Sequence, residues 1–190
     1  QDEIIKKIIN ELVGAGAVLS KDINKKIAST STSDISIYEC INFARGAVTP
    51  SLNPKAIECL EKSIKKDPNY ADAWIWLADR KRAQHSSFSM TNEFKYMLEE
   101  ASKEIDRGLI LDPEHAFGYS TKLQIEFYKN NWQEMFNVAE KAYSLAGERP
   151  HLLGKIGYSL AYGGQCEKED IYKSTDAVSY THLTLPTKVT

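Results

Sequence analysis

Two stretches of this chain, KSIKKDPNYADAWIWLA and RGLILDPEHAFGYSTKL, repeat one another. Each runs from an apolar helix end through Asp-Pro and one or two further residues into a new apolar helical run. Proline has no amide hydrogen and pushes the residue before it out of the helical region, so no helix can run through Pro68 or Pro113. Each must close one helix, and each is expected in the first turn of the next, where the missing donor costs nothing. A self-similar helix–turn–helix implies a repeat architecture, in which no unit buries its apolar face alone and neighbouring units complete the core.

Between these punctuation marks the apolar residues recur with helical period. Ile57, Leu60 and Ile64 share one face, with Ala56 and Cys59 at its edge; Trp74, Leu77, Ala78 and Lys81 mark another. Leu123, Phe127 and Tyr128 follow, then Phe136, Ala139 and Tyr143. Helices are expected over roughly 2–13, 20–28, 34–46, 53–66, 70–85, 92–111, 114–129, 132–146 and 150–162, with Gly163 and Gly164 closing the last. No segment reads as a strand, so the expected fold is all-α, built from stacked antiparallel helix pairs. The 190 residues suffice for a substantial core, and 42% hydrophobic with 26% charged residues is an ordinary globular composition. A net charge of −2 supplies no basic field for nucleic acid or an anionic membrane. The longest apolar stretch, Leu12 to Leu19, is broken by Gly14 and Gly16 and is too short to span a bilayer. The chain opens on Gln1 without a signal peptide, which implies an N-terminus that is missing or processed.

No catalytic, cofactor or metal constellation emerges. His85, His115 and His151 lack HExxH, HxH or CxxH context, and there is no Walker A, GxGxxG or GxSxG pattern. The GAG at 14–16 and the GG at 163–164 read as helix ends. The carboxylates of QDE, EE and EKED read as solvated helical faces. Cys40, Cys59 and Cys166 have no zinc spacing and read as helix-packing thiols; a Cys40–Cys59 disulfide stays open for a domain outside the cytoplasm. The chain itself is therefore expected not to be an enzyme.

The arrangement resembles the tetratricopeptide repeat, in which a small residue of the second helix packs on the first and Asp-Pro closes the unit. Ala56 with Pro68 fits one unit; Trp74, Leu77, Ala78, Ala101 and Pro113 fit the next. Tyr119, Trp132, Ala139 and Ala142 fit a third that ends in GERP rather than Asp-Pro, and Ile156–Gly157 open a fourth. Pro68 and Pro113 lie 45 residues apart, against a usual period of 34, the excess falling in AQHSSFSMTNEF. The resemblance implies a right-handed superhelix, an α-solenoid, over 34–165, whose first helices line a groove for a protein or peptide partner. Matched groove positions are Asp72, Ile75, Asp79 and Arg82, then Phe117, Ser120, Gln124 and Phe127, then Gly154 and Tyr158. Trp74 and Trp132 are expected in the repeat core, with Trp76 an interface candidate if exposed. The Lys and Asn that clamp a C-terminal carboxylate in the chaperone-binding subfamily are absent from the matched positions.

QDEIIKKII, SIYECINFARGA, CLEKSIKKDPNYADAWIWLA and the long second-unit loop occur in that order. Together they resemble the C-terminal region of bacterial signalling proteins that carry a TolB amino-terminal-like domain before tetratricopeptide repeats. The resemblance implies that residues 1–33 lead out of a missing upstream domain. It also implies that the effector is a winged-helix transcriptional regulator, often with a membrane span, or a class III nucleotidyl (adenylate) cyclase. A free-standing scaffold is the third reading. The partner would then be a protein, a peptide or the missing effector itself, without nucleic-acid or membrane contact by this stretch. The compartment would be cytoplasmic, or periplasmic behind a membrane span. Residues 166–177 read as a truncated next helix. Val178 to Thr187, VSYTHLTLPT, is identical to one frame of a translated tagmentation adaptor, so 178–190 is expected to be non-native and Tyr180 and His182 to carry no function.

Overall fold

The computed structural model describes residues 35–47, 49–84 and 91–163. The helices expected over 2–13 and 20–28, the truncated helix at 166–177 and the tail 178–190 lie outside them. The fold is all-α: the described residues form α1 (Ile37–Gly46), α2 (Asn53–Lys66), α3 (Ala71–Arg82), α4 (Asn92–Leu111), α5 (Ala116–Tyr128), α6 (Trp132–Ala146) and α7 (Pro150–Tyr162), with no strand among them. The chain divides into two compact units, Gln1–Leu111 and Asp112–Thr190, at the second Asp-Pro.

Local chemistry sets the helix ends. Ser36 begins α1 with a capping box: its hydroxyl accepts from the Glu39 amide, and the Glu39 carboxylate accepts from the Ser36 amide. That box moves the start inward from the expected residue 34. Pro54 and Pro150 occupy the first turns of α2 and α7. Pro68 and Pro113 do not. Both lie in the turn before the helix, which corrects the sequence expectation. Asp67 Oδ1 accepts from the Asn69 amide at 3.0 Å, and Asp112 Oδ1 accepts from the Glu114 amide at 3.2 Å. Each aspartate thus folds its own backbone into an Asx turn that proline supports, and the helix starts only after it. His115 then caps α5, its Nδ1 accepting from the Gly118 amide at 3.0 Å. Asn130, at φ 57°, ends α5 in the left-handed conformation that asparagine tolerates.

In the first unit α3 packs against α1, α2 and α4. A helix with three neighbours is buried nearly all round, and α3 buries Ala73, Ile75, Trp76, Leu77, Ala78 and Asp79 in sequence. On α2 the buried stripe is Ala56, Cys59, Leu60 and Ser63, rotated from the expected face, so that Ile57 and Ile64 are only half-buried. Gly108 on α4 meets α3 where there is no room for a side chain: a Cβ would stand 2.5 Å from Ile75 Cγ1. Cys40 and Cys59, both buried, form a disulfide across α1 and α2 with Cα atoms 5.7 Å apart, so the free-thiol reading of this pair does not hold.

In the second unit α5 packs against both α6 and α7. Leu123, Met135, Val138, Ala139, Ala142, Leu152, Ile156 and Leu160 form its core. Tyr143, expected on the apolar face of α6, is 48% exposed. The expected repeat-core residues divide by size. Ala56, Leu77, Ala78, Ala101, Ala142 and Gly157 are buried, Pro68 and Pro113 are exposed turn residues, and Trp74 and Trp132 are half-buried. Trp74 donates its indole N–H to the Pro68 carbonyl at 2.9 Å, which holds the ring over the turn instead of in the core. Trp76 is the buried tryptophan, 8% exposed.

Candidate functional site

The expected groove positions of the first unit lie on α3, and their surroundings close most of them. Ile75 and Asp79 have no exposed surface, so neither can line a groove, which corrects both assignments. An ionised carboxylate can be buried only with compensating charge and hydrogen bonds. Asp79 Oδ2 accepts from Arg80 Nη2 at 2.5 Å and Oδ1 from Arg82 Nη2 at 2.8 Å. Arg80 also donates to the Ala47 carbonyl at 2.7 Å, and its own carbonyl accepts from Asn53 Nδ2 at 2.8 Å. The guanidiniums of Arg45 and Arg80 lie over the Trp76 ring at 5.6 and 5.9 Å. Arg82, expected to offer a polar contact, is thus committed to Asp79, while Asp72 is half-buried in the first turn of α3. The network ties the ends of α1, α2 and α3 together.

The second unit is open where the first is sealed. Phe117 and Phe127 on α5 are half-buried, and Tyr158 on α7 is 38% exposed. Phe127 packs edge-on against Tyr158, with ring centroids 6.1 Å apart, and against Trp132 at 5.9 Å. Tyr158 continues to Tyr162 at 4.6 Å. The result is a ladder of Trp132, Phe127, Tyr158 and Tyr162 that runs from half-buried rings at one end to the 68% exposed Tyr162 at the other. The Lys155 ammonium sits 4.4 Å from the Phe117 ring centre. Gln124, half-buried between Phe117 and Phe127 in the sequence of α5, has a buried Oε1 with no hydrogen-bond partner. Ser120 is not on this face: it is fully buried and donates back to the Phe117 carbonyl at 2.9 Å, which corrects its assignment. Gly154 is half-buried.

The structure therefore brings Phe127 and Tyr158 together, keeps Phe117 and Gln124 on the same helix, and removes Ile75, Asp79 and Ser120. Tyr162 and Lys155 were missed by the sequence reading, although Tyr162 lies one helical turn from Tyr158. His151, in the first turn of α7, is held below its ordinary 6.5 by partial burial and by the nearby cations Lys155 and Arg149. Among the described residues no group of three or more His, Cys, Asp or Glu could hold a metal ion. None of the described helices is long and apolar enough to cross a membrane. No protein-family model matches the sequence, and a search of curated proteins finds no significant match.

Proposed function

We propose that this chain is a non-catalytic interaction module built from tetratricopeptide-like helix pairs, and that its α5–α7 face receives an extended peptide segment of a protein partner. The observation that carries the reading is the half-exposed ladder of Phe127, Tyr158 and Tyr162 across α5 and α7. Aromatic rings offer apolar anchoring at small entropic cost. Three features support the solenoid reading. The Asp-Pro turns are built alike, α1 neighbours both α2 and α3, and α5 neighbours both α6 and α7. We further propose that the module regulates a bacterial signalling or transcriptional protein, the partner segment lying in its effector or in another chain. This rests on the resemblance of QDEI and the order of motifs that follows it.

The test is selection of peptides from a random display library on the whole chain, followed by calorimetry of the enriched sequences. Phe127→Ala and Tyr158→Ala should each weaken binding about tenfold or more, as expected for central aromatic anchors. Failure to enrich any peptide, or enriched peptides indifferent to both substitutions, would sink the proposal.

A further inference from the structure

In the first unit a single lysine stands between two carboxylates of unequal burial. Lys81 Nζ on α3 lies 2.5 Å from Glu104 Oε1 on α4 and 3.8 Å from Glu61 Oε1 on α2. The Glu104 side chain is 11% exposed and that of Glu61 is 48% exposed. Glu104 Oε2 is buried and has no hydrogen-bond partner. One turn back on α4, Glu100 adds a third carboxylate, held by Lys103 at 2.8 Å. Three carboxylates thus meet two ammonium groups, and the most deeply buried of them has one oxygen unsatisfied.

That is an unfavourable way to keep a charge. A buried carboxylate loses its hydration, and a single ion pair does not restore it unless the remaining lone pairs are also satisfied. Taking up a proton relieves the problem at Glu104, whereas the half-exposed Glu61 carboxylate keeps much of its hydration. We propose that the α2–α3–α4 junction is a proton-operated switch in which Lys81 changes partners, held by Glu104 when that carboxylate is ionised and passed to Glu61 when Glu104 takes up a proton from solvent. The neutral Glu104 no longer needs a counter-ion. The move requires only that a gap of 3.8 Å close to hydrogen-bonding distance. Burial, reinforced by Glu100 and Glu61, raises the Glu104 carboxyl from 4.5 to about 7 against the opposing pull of Lys81, so the switch operates near neutrality. Lys81 sits between Arg80 and Arg82 on α3, so the exchange acts on the helix that carries the Asp79 network.

A folded-state value raised above the ordinary one means that the folded form holds its proton more tightly. The stabilisation is full below 4.5 and is lost as pH rises to about 7. Within that window the unfolding constant of the first unit should rise by up to about tenfold per pH unit.

The experiment combines carboxyl ¹³C NMR of Glu104 with urea unfolding of the whole chain at about pH 5 and about pH 8. Glu104 should titrate near 7. Glu104→Gln, an uncharged isostere, should flatten the pH dependence. Glu61→Gln reads the exchange itself: it should raise the unfolding constant about two- to fivefold at the lower pH, where Lys81 depends on Glu61, and leave it nearly unchanged at the higher. A Glu104 midpoint at its ordinary 4.5, or a Glu61→Gln effect equal at both pH values, would overturn the proposal.

Discussion

Asp79 and Gln124 stand at the same distance after their Asp-Pro turns, on α3 and α5, and their fates differ. Asp79 is fully buried, with both oxygens taken by Arg80 and Arg82; Gln124 is half-buried, with one amide oxygen unmet. The contrast is one of charge. A carboxylate drawn into a helix junction must bring cations with it, and those cations fill the space and knit the neighbouring helices together. A neutral amide carries no such obligation and draws no counter-charge into the junction. One register position therefore becomes a structural lock in one unit and stays outside any ion-pair network in the other. At the position four residues earlier, Ile75 and Ser120 are equally buried, so the divergence begins one turn along the helix.

The largest expected effect tests the lock directly. Asp79→Ala strands two buried guanidiniums and should destabilise the protein by about 3–5 kcal/mol in urea unfolding. Gln124→Ala should cost no more than about 0.5 kcal/mol. Similar costs at the two positions would erase the comparison. Next in size is the disulfide. Opening the Cys40–Cys59 bridge, which spans 19 residues, should cost about 3 kcal/mol and should lower hydrogen-exchange protection in α1 and α2 while leaving α6 and α7 unchanged. A thermal melt indifferent to reductant, with free-thiol labelling confirming the opened bridge, would contradict this. The smallest effect sharpens the contrast through pH. His151 resists protonation, so the second unit should lose a little stability as pH falls through 6.5 and below, whereas acidification stabilises the first unit through Glu104. Exchange protection followed separately in α3 and α7 should move in opposite directions, and parallel movement would show the assignment of either group to be wrong.

The helical content was plain in the sequence because local chemistry dictates it. The spans expected over 53–66, 92–111, 132–146 and 150–162 coincide with α2, α4, α6 and α7. The errors at other ends have local causes too: the Ser36–Glu39 box, the Asx turns of Asp67 and Asp112, and the cap supplied by His115. The site was less legible. Phe127 and Tyr158 were matched to groove positions through the repeat resemblance, and they do meet. Ile75, Ser120 and Asp79 were misread because the sequence shows a register position but not how many helices press on it. Trp74 and Trp76 were misjudged for the same reason: two residues apart on a helix, they point in different directions, and only the neighbours decide which is covered.

By itself the sequence determined that the described residues are helical and where the helices turn, because proline and the helical period act within a few residues; that small residues such as Ala56, Ala78, Ala101 and Ala142 are buried was implied by the repeat resemblance. Tertiary structure alone decided which polar groups are sealed and which remain available. It set Asp79 between two arginines, gave Lys81 two carboxylates, joined Cys40 to Cys59, and brought Phe127 against Tyr158. Desolvation and pairing depend on groups far apart in the chain, and no local rule counts the helices that surround a residue.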